Sequence, residues 1–315
     1  MEFMRASGTF WWRAALGIAL LAVILWHADL SSLTAQLTPA VWPAVLVAVA
    51  LLLGAQGLAA LRWGLLLGQP RPEWWVLFRL YLMGAGVGLF LPTSVGGDAF
   101  RVAAAARLTG RPAATITSVL VDRLSGVLAL LMYAAIGWLA APRTVERLLG
   151  GATWHGPSPI LLLGLGGLIG LGLIVVIGRS SVKRVRQIRE EVVSGVQPLL
   201  RDPALLAAVL GLALAVQALM LALWLVLARG LALPIPAETL LVGVPIVTLA
   251  TLMPITIAGL GVREGVWLFL LRASGISAPA IVSFSLLYFV VTILSGAVGG
   301  VVFVRWGVGD RRQVG

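Results

Sequence analysis

The chain has 315 residues, of which 60% are apolar and only 11% are charged, and its mean hydropathy is +1.04. Because soluble domains carry about 25% charged residues, this composition excludes a water-soluble fold, a disordered chain and a coiled coil. The net charge of +11 comes from basic residues that lie between apolar blocks. There they indicate membrane orientation and contact with anionic lipid head groups at the cytoplasmic face, not nucleic-acid binding.

The apolar blocks predict an all-α polytopic membrane protein with about eight membrane segments. Six blocks are long enough to cross the hydrocarbon core, about 30 Å thick, as helices. They cover about 10–27, 42–61, 116–140, 159–178, 204–228 and 278–304. Two more blocks, 76–91 and 238–253, run into a proline and a Gly-rich turn, and each is followed by a second short helical segment, 99–110 and 262–273 respectively.

The distribution of positive charge predicts which side of the membrane each connection faces. The segment at about 179–202 is the densest basic cluster, so the positive-inside bias places it in the cytoplasm. The same bias assigns a further set of arginines to that side, namely Arg62, Arg71, Arg107, Arg111, Arg305, Arg311 and Arg312. This assignment requires each pair of short segments to form a re-entrant hairpin. Both chain termini are then cytoplasmic.

The two broken segments resemble each other as an internal repeat within one membrane domain, 1–315. Aligning 91–108 with 253–270 matches Pro92 to Pro254, Ser94 to Thr256, Gly97 to Gly259 and Arg101 to Arg263. The first repeat covers about 76–140 and the second about 238–304. Three full spans separate the hairpins, so the copies are inverted, which indicates a transporter with a site near the bilayer midplane. Chance similarity between Gly-rich apolar segments is the alternative.

Six charged residues at membrane depth form the candidate substrate site, together with glycines of the two turns. A charge there costs from about 2.5 kcal/mol upward, so these residues need partners or a wet cavity. We expect Arg101, Arg123 and Arg263 to contact a lipid phosphate, and Asp98, Asp122 and Glu264 to orient them or to take up protons or cations. Neighbours on a helix point about 100° apart, so Asp122 and Arg123 should contact two different elements. The candidate glycines are Gly96, Gly97, Gly259 and Gly261.

A structural role is the alternative for these charges, because they could neutralise one another and hold the broken helices together. For each turn, the alternative is a loop outside the membrane. The chain has no cysteine and no metal-ligand spacing, so neither a metal nor a cofactor is expected.

Three stretches resemble the transmembrane region of lysylphosphatidylglycerol synthases, a flippase-like family of membrane proteins. They are Gly-Gly-Asp followed by Arg at 96–101, Asp-Arg-Leu-Ser-Gly at 122–126 and Gly-Leu-Gly-Val-Arg-Glu-Gly at 259–265. The resemblance implies an inner-membrane protein of the flippase class and carries the family pattern onto the candidate residues above and onto Gly265. The bifunctional synthases add a soluble aminoacyl-transfer domain, which this sequence lacks, so no transferase activity is expected.

The sequence leaves three functions open. The first is a lipid translocase, with a membrane phospholipid or a polyprenyl-phosphate lipid as substrate, working as a monomer or as a homo-oligomer. The second is an intramembrane enzyme that acts on a lipid-linked phosphate or sugar, with Asp98, Asp122 and Glu264 as acid or base. The third is an accessory subunit of a lipid-modifying complex.

Overall fold

A computed structural model describes residues 38–90, 96–149, 197, 199, 201–252, 256, 259–272 and 274–306. Every regular element within these ranges is helical. A short 3-10 turn, Pro39–Val41, leads into α1. The helices are α1 (Trp42–Leu67), α2 (Trp74–Phe90), α3 (Gly96–Thr109), α4 (Pro112–Ala140), α5 (Pro142–Leu149), α6 (Pro203–Gly230), α7 (Ala237–Leu252), α8 (Val262–Leu271) and α9 (Ala278–Trp306).

Four helices of the described part are long and apolar enough to cross a membrane. With the 3-10 turn that leads into α1, they are Pro39–Leu67, Pro112–Ala140, Pro203–Gly230 and Ala278–Trp306, with mean hydropathies between 1.8 and 2.4. The chain is therefore a multi-pass membrane protein, as the composition predicts. Two further predicted spans, 10–27 and 159–178, lie outside the described residues, as does most of the basic segment 179–202.

The short predicted segments are also helices, with ends close to those expected. The first pair was predicted at 76–91 and 99–110 and forms α2 and α3; the second was predicted at 238–253 and 262–273 and forms α7 and α8. Both turns lie largely outside the described residues. One predicted end is wrong: α1 was expected to stop at 61 but continues to Leu67, so Arg62 lies inside the helix.

The open ends of the two hairpins lie at opposite ends of α4. Arg111, which precedes α4, donates a hydrogen bond from Nη1 to the Gln69 carbonyl at 3.0 Å, so the start of α2 lies beside the end of α3. At the other end, a pocket of about 280 Å³ is lined by α5 and by both outer ends of the α7–α8 pair, including Glu238 and Leu271. Since α4 is about 43 Å long at 1.5 Å per residue, the hairpins open far apart.

The helices also pack in matched pairs. In each half the two hairpin helices pack on each other, and the second of them packs on the long helix that follows it, α3 on α4 and α8 on α9. Across the halves, α2 packs on α9, α7 packs on α4 and α1 packs on α6. Such reciprocal contacts are typical of two structurally related halves. The bounds of the repeat, about 76–140 and 238–304, and the re-entrant position of the two hairpins in the membrane stay predictions.

Side chains on the outside of α4 are apolar over several turns. Ile116, Leu120, Leu124 and Leu128 recur every four residues and are between 39% and 50% exposed. A helix exposes one face at this spacing. An exposed apolar face on a long apolar helix suits contact with lipid, and Leu124 of this face is next to Arg123 of the candidate site.

Candidate functional site

Asp98, in the first turn of α3, contacts two arginines. Its Oδ1 accepts a hydrogen bond from Arg101 Nη2 at 2.5 Å and its Oδ2 accepts one from Arg123 Nε at 2.6 Å. Residues three apart on a helix share a face, which places Arg101 beside Asp98. Arg101 is buried, whereas the side chain of Arg123 is 50% exposed. One carboxylate therefore joins a buried guanidinium to an accessible one.

Asp122 and Arg123 contact different helices, as their positions on α4 predict. Asp122 Oδ1 accepts from Arg62 Nε of α1 at 2.7 Å, while Arg123 pairs with Asp98 of α3. Both members of the Arg62–Asp122 pair are buried, with side-chain exposures of 5% and 1%. The pair lies between the protein's helices and ties α1 to α4.

Aromatic rings of α1 and α2 surround Arg101. Its Cζ lies 3.9 Å from the ring centroid of Tyr81 and 5.1 Å from that of Trp63. Trp63 is held in place because its Nε1 donates to Ser118 Oγ of α4 at 3.0 Å. The faces of aromatic rings attract a guanidinium group, so this aromatic cage of Tyr81 and Trp63 holds Arg101 in place inside the protein.

Arg62, Asp98, Arg101, Asp122 and Arg123 form the first charged set. Asp98 bonds to Arg101 and Arg123, Asp122 bonds to Arg62, and Asp122 and Arg123 are adjacent on α4. Three guanidinium groups face two carboxylates, which leaves a formal charge of +1. In addition, Arg62 Nη1 and Arg101 Nη1 are buried and have no hydrogen-bond partner. Buried cationic N–H groups without a partner are suited to bind an anionic oxygen.

Arg263 and Glu264 form the second charged set, at the start of α8. Glu264 is fully buried; its Oε2 accepts from the Gly261 backbone N–H at 2.7 Å and its Oε1 from Ser285 Oγ of α9 at 2.8 Å. A glutamate at the third helical position that reaches back in this way satisfies one of the free N–H groups of the helix start. Glu264 therefore caps its own helix and joins it to α9.

Arg263 has a weaker partner than the arginines of the first set. Its Nε lies 3.5 Å from Glu264 Oε1, and its Cζ lies over the rings of Tyr288 and Phe289 at 4.9 and 5.9 Å. Arg263 Nη2 and the nearby motif residue Thr256, through Oγ1, are buried without a hydrogen-bond partner. Within the described residues, no hydrogen bond or ion pair joins the second charged set to the first.

The candidate glycines meet packing or conformational demands. Gly96 is buried at the start of α3, and a side chain at Gly97 would overlap the Gly84 carbonyl oxygen of α2. Gly259 and Gly261 have φ angles of 72° and 80°, which favour glycine strongly. Their contacts in the structure are with the protein itself, and a role in ligand binding stays a prediction.

Sequence reasoning missed Arg62 and Tyr81 as members of the site. Arg62 was interpreted as a marker of the cytoplasmic face because α1 was expected to end just before it. The signal that could have revealed it is Asp122, an acidic residue inside an apolar span that needs a cationic partner. For metals, the described residues contain no group of three or more His, Asp or Glu side chains placed to hold an ion.

Comparison with known proteins shows the family to which the chain belongs. No curated protein and no solved structure matches the chain. A family model described as the lysylphosphatidylglycerol synthase transmembrane region matches residues 10–300, which include both charged sets and every described helix except the last residues of α9. The chain therefore belongs to the lysylphosphatidylglycerol synthase transmembrane-region family, whose description indicates a function connected with membrane lipids.

Proposed function

We propose that the protein is a lipid translocase that moves a lipid with an anionic, phosphate-bearing head group between the leaflets of the bacterial inner membrane. The observation that carries this proposal is the arginine pair on Asp98. Arg101 is buried and keeps one unpaired N–H, while Arg123 is half exposed. A lipid phosphate can therefore bind Arg123 first. It can then contact Arg101 as well, so that the phosphate and Asp98 bind the same two guanidinium groups.

The position of Arg123 supports entry from the side of the bundle. It lies 11 residues after Pro112 in a 29-residue helix, which is about 17 Å along an axis of about 43 Å. Leu120 and Leu124, its neighbours on α4, are 39% and 47% exposed. Arg123 already pairs with Asp98, but half of its side chain stays exposed, and a charge at membrane depth is stabilised further by a second polar partner. The head group of a lipid supplies such a group while its acyl chains stay in the bilayer.

The two hairpins supply the path. They open at opposite ends of α4, and broken helices in inverted repeats are typical of transporters whose substrate passes a central site. In this proposal Arg263 of the second hairpin receives the phosphate at the other end of the path. The sequence has no GxxxxGK[ST] loop, so we propose movement that is passive or driven by a gradient and not by bound nucleotide.

We propose transport and not catalysis because the three carboxylates are already engaged. Asp98 and Asp122 pair with arginines, and Glu264 accepts from a backbone N–H and from Ser285. A general acid or base must reach the substrate to exchange a proton with it, whereas these carboxylate oxygens already accept hydrogen bonds from the protein. These contacts suit residues that orient arginines.

The test is reconstitution of the purified protein in liposomes that contain fluorescent lipids. We expect translocation of phosphatidylglycerol and of a polyprenyl phosphate, and much slower movement of a glycosyl diacylglycerol, whose polar sugar head group carries no phosphate. Equal rates for all three lipids, or no movement of any phosphate-bearing lipid, would refute the proposal. Chromatography of the same samples detects an enzyme, since a lipid product that forms only with protein would indicate catalysis.

A further inference from the structure

Arg62 has a side of its guanidinium group that the contact with Asp122 does not use. Nε makes the ion pair at 2.7 Å, but Nη1 is buried and has no hydrogen-bond partner. The whole side chain is only 5% exposed. Because buried polar groups are nearly always satisfied, an arginine that served only to neutralise Asp122 should have its other donors paired as well.

Gly126 leaves room for one methyl-sized group beside this unused side. It lies one helical turn after Asp122 on α4, and a Cβ placed on it would lie 3.8 Å from Arg62 Nη2 and 3.9 Å from Nη1. From the other side, Gln217 of α6 donates through Nε2 to the Gly126 carbonyl at 3.4 Å. Polar groups of α1, α4 and α6 therefore converge at a position where α4 presents no side chain.

We infer that Arg62 and Gly126 form an additional anion subsite, in which the Arg62 Nη groups bind an oxygen of the lipid phosphate and Gly126 provides the room. This inference rests on the proposed function and adds α1 to the binding site. A guanidinium group presents two edges. Arg62 uses one edge to hold Asp122 and directs the other at the head group.

The structure offers a substitution that fills the subsite and leaves every charge in place. Gly126→Ala puts a methyl group at ordinary contact distance from the Arg62 Nη atoms. Gly211→Ala on α6 is the matched control, because a Cβ there has no neighbour within 4 Å. Both changes replace a helical glycine by alanine, which favours the helix by a similar amount.

The experiment measures the affinity of each purified variant for short-chain phosphatidylglycerol in detergent micelles, together with its melting temperature. We expect Gly126→Ala to bind about tenfold more weakly than wild type, as for the loss of one charge-assisted hydrogen bond. Gly211→Ala should bind like wild type, and neither variant should melt at a lower temperature. Equal affinity of the two alanine variants would overturn the inference.

Two further variants separate binding from support of Asp122. Arg62→Lys keeps a positive charge for Asp122 but loses the second edge, so we expect it to bind as weakly as Gly126→Ala. The double variant Arg62→Gln with Asp122→Asn removes both charges and should stay weak in binding even if it recovers stability. Wild-type affinity in either variant would overturn the subsite. Failure of the proposed function is distinguishable, because then wild type itself does not bind the lipid.

Discussion

The buried arginines of the first charged set depend on their carboxylates and aromatic rings. Arg62 and Asp122 are both enclosed by protein, and Arg101 lies between Tyr81 and Trp63 with Asp98 as its counter-ion. Removal of one member of a buried pair leaves an uncompensated charge, which costs more than the pair contributed. The single residues are therefore coupled, and each substitution must be interpreted through its partner.

Asp122→Asn tests this coupling at the residue scale. It leaves the Arg62 charge buried without a counter-ion, so we expect a loss of about 3 kcal/mol in stability and a clear fall in melting temperature in detergent. Glu146→Gln, at an exposed carboxylate of α5, is the control and should melt like wild type. If Asp122→Asn melts as wild type does, the ion pair with Arg62 does not exist in the folded protein.

Residue chemistry was predictable where it depends on neighbours along the chain. The pairing of Asp98 with Arg101 follows from helical spacing, and the divergence of Asp122 from Arg123 follows from the angle between adjacent side chains. The partner of Asp122 was not predictable, because Arg62 lies 60 residues away and on another helix. The aromatic cage of Arg101 was missed for the same reason: aromatic side chains in apolar helices give no sequence signal of what they face.

At the scale of helices, the hairpin helix α2 packs on α9 with almost no space between backbones. A Cβ on Gly299 would overlap the carbonyl oxygen of Leu82, and one on Gly86 would lie 2.8 Å from the Gly296 carbonyl oxygen. Small residues allow this close approach in membrane helices. The contact fixes Tyr81 relative to the second half of the chain.

Gly299→Ala and Gly300→Ala form a matched pair that tests this packing. We expect Gly299→Ala to destabilise the protein by about 1–3 kcal/mol through overpacking. Gly300→Ala should be neutral or slightly stabilising, because a Cβ there has no neighbour within 4 Å and alanine favours a helix. Thermal unfolding of both variants in one detergent gives the comparison, and equal melting temperatures would contradict the close α2–α9 contact.

The helices themselves were largely predictable, since apolar length, prolines and glycines define most of their ends. The extension of α1 to Leu67 was missed because arginine and tryptophan usually mark a membrane boundary. Here Arg62 donates a hydrogen bond to Asp122, and Trp63 donates one to Ser118. These contacts with α4 stabilise the additional turn of α1 inside the protein. The packing of one half on the other, such as α2 on α9, could not be predicted from the sequence pattern.

For the whole molecule, the arrangement of the hairpins predicts opposite exposure of their open ends. The chain has no cysteine, so single cysteines report position without background. We expect Gln69→Cys to react with a membrane-impermeant thiol reagent from the cytoplasmic side and Ser277→Cys to react from the opposite side. Both positions are exposed. Labelling of both from one side would contradict the inverted arrangement.

The central claim is that an accessible arginine at membrane depth binds the phosphate of the lipid that is moved, and Arg123 tests it most directly. The measurement is the rate of translocation of fluorescent phosphatidylglycerol in liposomes for Arg123→Gln, with Arg107→Gln, an exposed arginine in the last turn of α3, as the control. We expect Arg123→Gln to slow translocation at least about tenfold, the loss of a charge-assisted contact, while Arg107→Gln moves lipid like wild type. Equal rates for the two variants would contradict the claim.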